Sequence, residues 1–188
     1  MPWGHAAVGY VLYSLGCRAA GREPPSGAET LTLLFATQFP DFVDKPLSWE
    51  LDLFTTGHAV AHSVFVALPL GVALLGVAIN LGRRQLGVAF LVGYWSHLLA
   101  DVMGPVQQGH APDLNPVFWP IADPTGYETE YGLRRGLVYV GTYVDSLTSA
   151  DPLTVVAAAA IPLLALLVWL LDGAPGVAGA RRYLRAVT

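Results

Sequence analysis

The chain has 188 residues, of which 54% are hydrophobic and 13% charged, with a mean hydropathy of +0.50 and a formal net charge of −4. Soluble domains carry about 25% charged residues, so the composition points into a membrane, and the negative balance excludes a basic nucleic-acid-binding surface. Cys17 is the single cysteine, which excludes an intrachain disulfide and a thiolate metal cluster and leaves His and carboxylate as the metal ligands available.

The length suits one domain, here a single integral membrane domain over residues 1–188, and an all-α polytopic bundle of about five membrane helices. The N-terminus has no basic region before its apolar run, so it reads as a retained first helix, from about Gly4 to Ala20. A second segment, "AETLTLLFATQFPD" from about Ala28 to Asp41, is short for a full crossing. It is compatible with a tilted helix, a locally thinned bilayer or a re-entrant piece. The third runs from about Thr56 to Gly82 with a possible kink at Pro69, and the fourth from about Gln85 to Met103. Residues 104–151 read as a long extracytoplasmic loop region, rich in Pro, Gly and aromatics; within it "GLVYVGTYVDSL" is either a short helix or an interfacial piece. The fifth segment, Pro152 to Gly173, is the clearest span.

Lys and Arg favour the cytoplasmic side of a membrane. Arg18 and Arg22 follow the first helix, Arg83 and Arg84 join the third and fourth, and Arg181, Arg182 and Arg185 follow the last. If all five segments cross, these seven share one face. The expectation is therefore a multi-pass cell-membrane protein with its N-terminus outside and its C-terminus in the cytoplasm.

The opposite face then gathers the metal-ligating residues. His5 begins the first helix there, Asp41 and Asp44 end the second, His58 and His62 open the third, and His97 and Asp101 close the fourth. His58/His62 and His97/Asp101 are i,i+4 pairs, each expected to offer two donors from one helical face. Imidazole and carboxylate suit zinc and related divalent ions, and ionisable groups inside a membrane are costly unless paired or functional. A lone His–Asp pair is more often a buried hydrogen bond, and Asp41 and Asp44 alone read as a solvated turn. Convergence of four separate segments favours a shared site for one or more ions. His110, in the loop just beyond, is a further candidate ligand, while Glu50, Asp52, Asp113, Glu128 and Glu130 read as solvent-facing acids on the same side.

At these residues the sequence resembles a family of LexA-regulated, membrane-bound, predicted metal-dependent hydrolases. The resemblance rests on "GHAAVGY", "FPDFVD", "HAVAHS", "HLLAD" and "FWP" in that order over the first two thirds of the chain. It implies His5, Asp41, His58, His62, His97 and Asp101 as metal-site residues. Two departures stand out: Ala59 and Val60 replace the family's Arg-Gly, and Asp44 follows Asp41 by three positions instead of two. The His-x-x-x-Asp element is also locally similar to zinc-dependent phospholipase C. The expected chemistry is metal-activated hydrolysis of an ester or phosphoester, with membrane lipid as partner and as a possible substrate, and Asp44 or Glu128 as general base. The alternative is a non-enzymatic metal-binding or metal-transport protein, although transporters place their ligands nearer the midplane. Oligomeric state leaves no mark on the sequence.

Overall fold

Side-chain caps set where several helices begin. Ser26 accepts a hydrogen bond from the Glu29 backbone N–H at 3.2 Å, Ser63 from that of Phe65 at 3.2 Å, and Asp151 from those of Leu153 and Thr154. Each satisfies donors that a helix N-terminus leaves free. In the computed structural model, which describes residues 2–177, these caps open α2 (Gly27–Ala36), α4 (Val64–Asn80) and α7 (Pro152–Leu171). The remaining helices are α1 (Pro2–Ala19), α3 (Phe39–Trp49), α5 (Arg84–Met103) and α6 (Arg135–Ser149), with short 3-10 turns at Gly104–Gln108, Pro116–Phe118 and Gly132–Arg134. No strand occurs among the described residues.

α5 is the axis of the bundle. α1, α2 and α4 pack along it, and α7 packs on α1. Tyr10, Tyr13, Leu33 and Ala89 are buried in one core layer, and Ala36, Ala67, Phe90, Tyr94 and Leu98 in the next. α2 and α5 approach so closely at Gly93 that a Cβ there would stand 2.6 Å from the Leu33 carbonyl oxygen and 2.8 Å from the Ala36 methyl. Only glycine permits that approach.

Two helical runs are long and apolar enough to cross a bilayer: Arg84–Val106, 23 residues, and Pro152–Leu171, 20 residues. α7 leaves Leu163, Leu167 and Leu170 exposed, a surface suited to acyl chains. α4 is equally apolar but shorter at 17 residues, and ends where Gly82, at φ +67°, turns the chain into α5. The two ends of the bundle sort the charges: Arg18 meets Asp172 at 2.5 Å and Arg22 meets Glu29 at 3.1 Å at one end, while His5, Asp41, His58, His62, His97 and Asp101 collect at the other.

Two sequence expectations change and one open alternative is decided. The second segment does not continue to Asp41, because Pro40 lacks an N–H and its ring would collide with the preceding turn; the chain breaks after Ala36 and restarts as α3. The third segment is helical only from Val64, so His58 and His62 lie in an irregular stretch and not on one helical face. Within the loop region the stretch open to a short helix or an interfacial piece is helical: it is α6, held by Trp3 against Tyr143 and Trp49 against Tyr139, with ring centroids 5.2 and 6.0 Å apart. Arg181, Arg182 and Arg185 lie outside the described residues.

The α2–α5 contact yields a stability prediction. Gly93→Ala should lower the thermal midpoint in detergent by overpacking, an effect of about 1–3 kcal/mol. Gly76→Ala is the control, because a Cβ there meets nothing within 4 Å, and it should leave the midpoint unchanged or raise it. Equal midpoints for Gly93→Ala and the parent would refute the close-approach argument.

Candidate metal centre

Four chain segments bring donors to one place. α1 supplies His5, α3 supplies Asp41, the stretch before α4 supplies His58 and His62, and α5 supplies His97 and Asp101. Three donor sets, His5/His97/Asp101, Asp41/His62/His97 and His58/His62/Asp101, each have their ligating atoms within 4.8 Å of one another.

The centre is a triangle. His97 Nε2 lies 3.0 Å from Asp101 Oδ2, His62 Nε2 lies 3.2 Å from the same oxygen, and the two Nε2 atoms are 3.2 Å apart. Asp41 Oδ1 stands 3.8 Å from both imidazole nitrogens. Two ligands held at 2.0–2.1 Å by one tetrahedral ion are about 3.3 Å apart, so the triangle has the dimensions of a divalent-ion site. Asp101 Oδ2 is buried between the two imidazole nitrogens, and His5 Nδ1 is buried with no hydrogen-bond partner. A buried carboxylate needs a proton or a cation beside it, and a cation is a partner that this donor set could hold.

The imidazoles are aimed from behind. His97 Nδ1 donates to the Thr37 carbonyl at 2.6 Å, which leaves Nε2 with its lone pair toward the triangle. His62 Nδ1 donates to Asp44 Oδ2 at 2.7 Å. Both follow the pattern in which a ligating His gives its other N–H to a carbonyl or carboxylate. His5 stacks on His97 with centroids 4.1 Å apart and brings Nε2 to 3.4 Å from Asp101 Oδ1. His58 is the outermost, its side chain 34% exposed and its Nε2 3.9 Å from Asp101 Oδ2.

Asp44 also accounts for the irregular stretch. Its carboxylate accepts from the backbone N–H groups of Ala59 at 2.8 Å, Ala61 at 2.9 Å and His62 at 3.2 Å. Those donors are thereby withdrawn from any helical ladder, and Tyr94 fixes the Ala61 carbonyl with a 2.7 Å hydrogen bond. Expected as a base, Asp44 is fully buried with both oxygens engaged, a position that orients His62. Glu128 and His110 are exposed, and neither joins the clustered donors. Thr37 has no signature in the sequence, because its part is played by a backbone carbonyl. Lys45, which ion-pairs with Asp41, was open to discovery by its i,i+4 spacing.

Charge sets the protonation of the groups outside the spans. Burial alone would push the Asp41 carboxyl up, but Lys45, through charge and a hydrogen bond, and His97 together outweigh it and hold Asp41 below the usual carboxylate range. Burial drives His58 down to about 4, so it is neutral at pH 7. Burial also opposes charge on His62, yet the hydrogen bonds to Asp101 and Asp44 overcome it and raise the group to about 9.

A proton on His62 therefore competes with any ion below pH 9. Zinc affinity, read by competition with a chelating dye, should rise with pH by about tenfold per unit across the neutral range, the slope of one displaced proton. Asp44→Asn removes one of the carboxylates that hold the proton and should flatten the slope. A pH-independent affinity in the parent protein would contradict this reading of His62.

Comparison with known proteins places these residues in a shared frame. A family model described as YdjM inner membrane protein matches residues 1–174, which include every residue of the cluster. No curated protein and no solved structure matches the chain. Neither hydrolase activity nor the expected likeness to phospholipase C is shown by the family match. With the match covering nearly the whole length, the chain belongs to the YdjM inner membrane protein family, the LexA-regulated membrane family whose motifs it carries.

Proposed function

We propose that this membrane protein is a metal-dependent hydrolase acting on an ester or phosphoester at the extracytoplasmic surface. The observation that carries the proposal is the 3.0–3.2 Å triangle of His62, His97 and Asp101, with Asp41 Oδ1 3.8 Å from both imidazole nitrogens. In this reading α1, α2, α4, α5 and α7 all embed in the bilayer as one domain, with the N-terminus outside and the C-terminus cytoplasmic. The arginines at the end opposite the cluster support that orientation.

His62, His97 and Asp101 would hold the ion, zinc in the first instance, with Asp41 as fourth ligand and His5 close enough to contribute to a second ion. Such an ion supplies a Lewis acid that activates water at neutral pH and stabilises negative charge on the substrate. The remaining work falls to the chain's own side chains. Asp44 and Thr37 keep the two imidazoles in orientation. His58, neutral and at the open edge, is placed to hydrogen-bond a water or a substrate oxygen there. The Lys45 ammonium beside Asp41 offers a charge partner for an anionic substrate oxygen.

A lipid headgroup suits this position as substrate. Phe42, Leu137, Val140 and Val144 are exposed on α3 and α6, the helices beside the cluster, and provide an apolar shelf for a membrane surface. The shelf supports lipid access without choosing between an ester and a phosphoester bond.

Two measurements test the proposal. His97→Ala and Asp101→Ala should lose bound metal and turnover together, whereas Asp44→Asn, which deletes no ligand but one of the oxygens orienting His62, should lose about 10–100-fold in metal affinity or activity. Turnover is to be read on phospholipids and soluble phosphodiesters beside metal content; a fully loaded protein inert on both classes would overturn the hydrolase reading in favour of metal binding or transport. For orientation, Thr125→Cys and Glu23→Cys place thiols at exposed positions near opposite ends, with the native Cys17 buried. Only the thiol at position 125 should react with an impermeant reagent in intact cells, and equal labelling would refute the topology.

A further inference from the structure

A cavity of about 370 Å³ opens between α1 and α5 at the arginine-rich end of the bundle, remote from the His/Asp cluster. Its walls are apolar, with Leu12 on α1 and Val88 and Val92 on α5. Gly16 makes the space: a Cβ there would meet nothing within 4 Å. Leu12 is 46% exposed beside the opening, so the groove is continuous with the outer surface of the bundle.

Basic residues close the other end. Arg22 and Arg84 both line the cavity. Arg22 is tied to Glu29 at 3.1 Å and to the Cys17 sulfur at 3.3 Å, which leaves further guanidinium donors unused. Arg84 is exposed and makes no ion pair among the described residues. Around this end four arginines (Arg18, Arg22, Arg83 and Arg84) meet three carboxylates (Glu23, Glu29 and Asp172). Arg18 is spent on the buried Asp172. A positive excess remains where the groove ends.

We propose that this groove binds an anionic glycerophospholipid, its phosphate on Arg84 and Arg22 and one acyl chain along Leu12, Gly16, Val88 and Val92. From Arg84 to Val92 a helix rises about 12 Å, the reach of a glycerol and the upper part of an acyl chain. An apolar trough that ends in guanidinium groups at the end of membrane helices is complementary to one ligand class, a chain attached to a phosphate. A soluble phosphate would leave the trough unfilled, and a neutral lipid would leave the arginine excess unbalanced. The site is independent of the metal centre and of any hydrolytic activity.

Native mass spectrometry of the full-length protein in detergent, with phosphatidylglycerol or phosphatidylcholine of equal chain length added, tests it. Phosphatidylglycerol should be retained in about fivefold preference, the factor for one basic residue near an anionic headgroup. Arg84→Gln should abolish the preference. Gly16→Leu, which fills the trough, should reduce retention of both lipids with the helical circular dichroism unchanged. Equal retention of the two lipids, a preference that survives Arg84→Gln, or retention unaffected by Gly16→Leu would each overturn the proposal. Displacement of the bound lipid by soluble glycerol phosphate would also overturn it, since a free phosphate would then be the ligand.

Discussion

Much of the site hangs on the Asp44 carboxylate. It holds three backbone N–H groups between Ala59 and His62 and, through the His62 ring, sets the direction of one corner of the triangle. Because the stretch from Leu51 to Ser63 has no helical ladder of its own, outside groups shape it: Asp44 and the Tyr94 hydroxyl around Ala61, Tyr127 at Thr55 and Gly57, and the Trp119 carbonyl at Ser63. A buried carboxylate that accepts several N–H groups is satisfied without a counter-ion at its own position. It can therefore sit fully buried behind the donors and still present a directional acceptor to imidazole.

A second constraint comes from small residues. At Gly9 a Cβ would stand 2.6 Å from the Thr37 side chain and at Gly93 one would stand 2.6 Å from the Leu33 carbonyl. These two glycines let α1 and α5 close on the C-terminal end of α2, where the Thr37 carbonyl faces His97 Nδ1. Helix packing and imidazole orientation are thus one problem: a methyl group that pushes α2 away also removes the acceptor that fixes the His97 tautomer.

The parts of this arrangement that were legible in the sequence are those governed by local spacing. His97 and Asp101 share a face because α5 is a helix and four residues make about one turn. Asp41 announced itself after Pro40, and the arginines marked one end of the bundle. His58 and His62 converge without sharing a helical face, because Asp44, fifteen or more positions away, takes the backbone donors that a helix there would need. Such tertiary competition leaves no periodic signal. Likewise α6 was ambiguous in sequence, since its stability rests on Trp3 and Trp49, contributed by distant helices.

Charge accounting relates the clustered carboxylates to the kind of ion the proposed site would take. Asp44 is satisfied by backbone N–H groups and Asp41 pairs with Lys45, which leaves Asp101 as the carboxylate that faces both His62 and His97. In the metal-free protein the proton retained by His62 balances Asp101. An entering cation would displace that proton and bring its own positive charge, since an imidazole nitrogen ligates only when neutral. Within the proposed function, a divalent ion would then meet carboxylate beside neutral imidazoles, the donor set that suits zinc and related ions.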